Sequence, residues 1–207
     1  MKTIPSREHP GFTLIELLVV IAIIAILAGL LFPAVTGALD SAKKSRAKSD
    51  VVQIAVAVKA YQSEYGRLPT DATADNDGGE SSPAWFQGPE TSSQYNKEII
   101  QVLVGENYKG LNPRKIPFLE TRPAKGTSGN YKDGMSPDFM LYDPWGTPYA
   151  IKLDISYNTE MEYYGLGSAN NLRTTVFAVS FGKNKIQQDI SKTVDKGQKV
   201  DDIVSFQ

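Results

Sequence analysis

The 207-residue sequence has no cysteine, so no disulfide staples it and no thiolate serves as a nucleophile or metal ligand. Its one histidine, His9, lies within the first eleven residues. A chain that loses those residues has no imidazole for zinc, for general acid–base work or for a proton relay. Nor is there an excess of either charge: 22 Lys and Arg face 23 Asp and Glu, a net charge of −1. That balance gives no electrostatic footprint for nucleic acid, which calls for a basic domain. The candidate carboxylates fall in turns and at the C-terminus without an evident hydrolytic pair, and no enzyme activity is assigned.

What is present begins with one long apolar run. Residues 11–32 read GFTLIELLVVIAIIAILAGLLF, with Glu16 as the sole charge. As a helix rising about 1.5 Å per residue, residues 12–32 measure roughly 30 Å, the hydrocarbon thickness of a bilayer. A carboxylate there costs about 2.5 to 3.5 kcal/mol, so Glu16 predicts a compensating cation. The preceding residues 1–11, with Pro5 and Pro10 against any helix, read as a leader. An ordinary secretory signal has a shorter apolar core closed by small residues, whereas this run is long and carries its charge at the other end. A plain single-pass anchor accounts for the length but not for Glu16 beside Gly-Phe-Thr-Leu-Ile.

These residues closely resemble the class III signal sequence of type IV pilins and pseudopilins. The resemblance implies that a prepilin peptidase cuts between Gly11 and Phe12 and methylates the new amine of Phe12. It also implies that Glu16 pairs with the terminal amine of a neighbouring subunit and sets the axial register of a filament. Lys43, Lys44, Arg46 and Lys48 follow the apolar run, and by the positive-inside count alone they would keep the rest of the chain in the cytoplasm. The resemblance implies the opposite: a cytoplasmic leader, a single pass through the bacterial inner membrane and an extracytoplasmic, periplasmic domain.

Pro33 and then Gly37 predict a kink or local melting of the helix. From Ala38 the pattern turns amphipathic, with Val51, Ile54, Ala55, Val58, Tyr61 and Tyr65 on one stripe and Gly66 and Pro69 as the stop. Residues 69–95 lack periodicity and read as a long loop, in which Trp85 and Phe86 either anchor it on the core or belong to a subunit contact. Asn96 is the expected N-cap of a short helix over 96–104, ended by Gly105. Asp143-Pro144-Trp145-Gly146 is turn chemistry between two apolar runs, a hairpin. Residues 149–153 and part of 175–181 alternate as antiparallel strands do. The expected fold is α+β and pilin-like: a long N-terminal helix, membrane-spanning in its first half and amphipathic in its second, packed on a small antiparallel sheet. The divisions are a leader at 1–11, a transmembrane and filament-core helix at 12–37, and an extracytoplasmic domain at 38–207.

A second resemblance rests on Tyr61-x-x-Glu64-Tyr65-Gly66-Arg67-Leu68-Pro69 followed by Asp143-Pro144-Trp145-Gly146-x-Pro148-Tyr149. That order is similar to the major pseudopilin of type II secretion systems. It implies a structural subunit of a homo-oligomeric pseudopilus that drives protein export. Its implied partners are minor pseudopilins, the prepilin peptidase, membrane lipid, and an inner-membrane assembly platform with its ATPase. One alternative is a type IV pilus subunit for adhesion, motility or DNA uptake; another is a membrane-tethered extracytoplasmic enzyme or binding module. The absence of a cysteine pair and the presence of Asp-Pro-Trp-Gly favour the pseudopilin. The resemblance further implies a C-terminal calcium (Ca2+) site, for which Asn184, Asp201, Asp202 and Ser205 are the candidate ligands. Here Asn184 stands where an acid is expected, Lys183 and Lys185 oppose a cation, and residues 186–199 lengthen the spacer. The competing reading of Asp201 and Asp202 is a solvated acidic pair near the terminus.

Overall fold

The fold, a computed structural model, describes residues 13–71, 85–86, 96–157, 159, 161–162, 171–185 and 202–205. Helix α1 (Leu14–Tyr65) runs for 52 residues. The helix continues through Pro33, so of the expected kink or local melting, melting is not seen. A proline removes one backbone donor but need not break the helix around it. The helix stops at Gly66, whose φ of +68° suits a residue without Cβ and whose N–H bonds to the Gln62 carbonyl at 2.8 Å.

Two compact units meet within α1, one ending at Ala42 and one beginning at Lys43. In the first, residues 13–32 are exposed, and this part of α1 is long and apolar enough to cross a membrane. In the second, the predicted stripe is real: Val51, Ile54, Ala55, Val58 and Tyr61 are buried, and Tyr65 packs at the margin of the same core.

The second unit holds a four-stranded antiparallel sheet in the order β1 (Trp85–Phe86), β4 (Ala150–Leu153), β7 (Val176–Ser180) and β8 (Ile203–Val204). Two small hairpin sheets pair β2 (Gly134–Met135) with β3 (Leu141–Tyr142) and β5 (Met161–Glu162) with β6 (Asn171–Leu172). Ile151, Leu153, Val176 and Ala178 join the core formed by the α1 stripe and by Ile99, Ile100 and Leu103 of α2 (Asn96–Leu103). Ala150, Phe177, Val179 and Phe181 form a second cluster with Met161 and Val204. The alternation in β4 and β7 therefore does not mark a wet face: every residue of both strands is buried, Lys152 included. Central strands covered on both sides have no solvent side.

Two further expectations change. The segment taken as an unbroken loop over 69–95 contains β1, whose backbone pairs with β4 as Trp85 with Lys152 and Phe86 with Ile151. This supports anchoring on the sheet. Asn96 is the first residue of α2 and is not its cap. Its buried side chain donates to the Leu141 and Tyr149 carbonyls, both at 2.9 Å, and accepts from the Leu141 N–H at 3.2 Å. Contacts across 45 and 53 residues outweigh the local cap. Gly105, with φ +100°, ends α2 as expected, and Glu106 N–H reaches back to the Gln101 carbonyl at 2.9 Å.

Candidate functional site

Gly11 and Phe12, the predicted cleavage and methylation residues, lie outside the described residues, as does Asp201. The described chain starts at Thr13, directly before α1. The Thr13 N–H and hydroxyl donate to Glu16 Oε2 at 2.8 and 2.7 Å, and the Glu16 N–H donates back to Thr13 Oγ1 at 3.3 Å. This reciprocal capping box satisfies orphan donors at the helix start. Glu16 is exposed, and its carboxylate is held by two neutral donors of its own turn.

A second polar site is built on one turn of α1 and was not predicted. Asp50 accepts both arms of Arg122, at 2.9 and 2.6 Å, and the Tyr149 hydroxyl at 2.8 Å. Arg122 also donates to Asp133 Oδ1 at 2.8 and 3.0 Å, while Arg46 and Lys125 each reach Asp133 Oδ2 at 2.8 Å. Burial pushes the Asp133 carboxyl up, but Lys125 and Arg122 outweigh it and hold the group below its ordinary value. The Asp50 hydrogen bond keeps Arg122 more firmly protonated than usual. Burial, reinforced by the Asp50 charge, raises the Tyr149 hydroxyl far out of the physiological range. The cavity beside Asp50 and Arg122 measures about 30 Å³, room for a water but not for a substrate. The network ties the helix to the hairpins. Its trace in the sequence is slight: Arg46 and Asp50 stand one turn apart on the arc that also holds buried Ala47 and Val51.

The Asp-Pro-Trp-Gly segment forms the expected turn. Asp143 Oδ1 accepts the N–H of Trp145 at 2.9 Å and of Thr147 at 2.8 Å, and Oδ2 accepts the Ser180 hydroxyl at 2.7 Å. Burial raises the Asp143 carboxyl despite these bonds. The motif joins its own turn to β7.

At the C-terminus, residues 203–204 form a strand. Asp202 is buried and Asn184 is exposed. The Ser205 hydroxyl accepts the Ala178 N–H at 3.0 Å, while the Ser205 N–H donates to the Ala178 carbonyl at 3.0 Å. The Lys48 ammonium donates to the Val204 carbonyl at 2.8 Å. Among the described residues no three His, Cys, Asp or Glu side chains converge.

Comparison with known proteins adds a prokaryotic N-terminal methylation motif matching residues 7–32. The chain is also similar to proteins called type II secretion system core protein G. It is 42% identical to that of Pseudomonas aeruginosa over 143 residues, covering 69% of this chain and 72% of the relative. It is 38% identical to that of Klebsiella pneumoniae over 161 residues, covering 78% and 86%. The Escherichia coli K12 protein is 39% identical over 113 residues, covering 52% and 75%. No solved structure gives a significant match.

Proposed function

The chain belongs to the type II secretion system core protein G family, and from that premise we propose how its parts serve a pseudopilus. It is a structural subunit of that assembly, anchored in the inner membrane by the single apolar helix. Its domain faces the periplasm, and subunits leave the membrane by packing residues 12–37 into a homo-oligomeric filament. The inner-membrane platform, its ATPase and minor pseudopilins act on that filament. The observation that carries this reading is the exposure of residues 13–32 within their own chain, directly after a methylation motif. Such a surface is stable only in lipid or against other helices.

Prepilin peptidase frees the Phe12 amine next to the capping box, and Glu16 has two successive partners. Thr13 satisfies the carboxylate in the single subunit, and the methylated amine of a neighbour replaces Thr13 on assembly. Glu16→Gln keeps a carbonyl for the Thr13 donors but removes the charge. It should therefore insert and be processed normally, yet fail to form ordered filaments; Glu16→Leu should fail likewise. Electron microscopy of sheared pseudopili tests this, and normal filaments from Glu16→Gln would reduce Glu16 to a helix cap. Intact-mass measurement of the membrane-extracted protein tests processing: a methylated Phe12 terminus is expected, absent in Gly11→Val.

A further inference from the structure

We propose that the ammonium of Lys48 on α1, in place of a divalent ion, is the cation that fastens the C-terminal segment of this chain. Strand β8 consists of two residues at the edge of the sheet, pairing Val204 with Val179 and Ile203 with Ser180. Ser205 and Ala178 exchange the bonds of a narrow pair, one through the Ser205 hydroxyl in place of its carbonyl. Alternation along an antiparallel ladder then turns the Val204 carbonyl, one residue earlier, away from β7. Among the described residues this outward edge carbonyl has no strand partner. Lys48 supplies the missing donor at 2.8 Å from a position 156 residues earlier, in a half-buried setting where a charged donor bonds more strongly than in water.

The same contact disfavours calcium. The Val204 carbonyl lies in sequence between the candidate ligands Asp202 and Ser205, and the ammonium bonds to it. A dication there would sit beside a like charge, with Asn184 exposed and the Ser205 hydroxyl engaged by β7. Neighbouring residues on α1 share the arrangement: Arg46, Lys48 and Asp50 each grip a different segment, at Asp133, Val204 and Arg122. The inference is independent of how the filament assembles.

The test is hydrogen exchange on the full chain in detergent, read at the Ala178 and Ser205 amides, with calcium or with chelator. In the wild type, exchange should be the same with calcium and chelator. Lys48→Met keeps the stem but removes the donor, and it should speed exchange at both amides by roughly tenfold, the loss of one charge-assisted bond. Lys48→Arg should restore protection. Faster exchange of the wild type in chelator would overturn the proposal in favour of a metal. Unchanged exchange in Lys48→Met would overturn it in favour of strand pairing alone. If Lys48→Met does not fold, Lys48→Gln, a shorter and neutral donor, takes its place with the same two outcomes.

Discussion

Residues 14–32 and the stripe of Val51, Ile54, Ala55, Val58 and Tyr61 lie on one continuous helix and carry similar apolar side chains, yet their surroundings are opposite. Ile24 is 58% exposed and Ile54 is 0% exposed. The difference is one of pattern. A helix apolar on every side cannot be covered by one small domain, whereas a stripe at three- and four-residue steps can. The second half is complete in its own chain. The first half is not, and each Leu or Ile it later buries contributes about 1.5 to 3 kcal/mol to whatever covers it.

The largest expected effect breaks this comparison at two isoleucines. Ile54→Ala opens a cavity in the closed core and should cost about 2 to 5 kcal/mol in denaturant unfolding of the detergent-solubilised protein. Ile24→Ala should leave that unfolding transition unchanged and lower pseudopilus yield instead. Equal unfolding losses from both would mean that the two halves are not distinct in what covers them.

The contrast was readable in the sequence because periodicity is local information. So were the N-terminal methylation motif, the Gly66 and Gly105 stops and the Asp143 turn, each written within a few neighbouring positions. What escaped was decided by distant partners. Asn96 resembles a cap until Leu141 and Tyr149 are placed beside it. Lys152 reads as an outward residue until both faces of β4 are covered. Asp50 and Arg122 are 72 residues apart, and Lys48 and Val204 are 156 apart. No local pattern announces either pair.

A second substitution sharpens the comparison through such a contact. Asn96→Ala leaves the Leu141 and Tyr149 carbonyls and the Leu141 N–H without their buried partner. At about 1 to 3 kcal/mol for an unsatisfied buried group, partly relieved by water entry, a net loss of about 2 to 3 kcal/mol is expected. Chemical denaturation measures it. Were Asn96 a helix cap alone, Asn96→Asp, a good capping residue, would be harmless. Placed against two carbonyls, the carboxylate should destabilise at neutral pH nearly as much as alanine.

The smallest expected effect is a pH dependence confined to the closed half. Asp133 has a folded-state pKa below its ordinary value, because hydrogen bonds from Lys125 and Arg122, with the charge of Arg46, overcome its burial. A depressed carboxyl contributes stability that is present above its unfolded pKa and lost as pH falls through the lower folded value. Asp143 acts in the opposite sense: its raised pKa contributes stability below the unfolded value that is lost as pH rises through the folded one. The two tendencies offset in the wild type, so Asp133→Asn is needed to separate them. Its cation partners are partly exposed, 48% for Arg46, 34% for Arg122 and 67% for Lys125, which screens each pair. The expected loss at neutral pH is therefore only about 1 kcal/mol. The gap between variant and wild type should narrow as pH falls below the ordinary carboxylate range and close once Asp133 is protonated in the folded protein. Urea unfolding, followed by tryptophan and tyrosine fluorescence across that range, measures the gap. A gap that stays constant with pH would assign the loss to packing instead of charge.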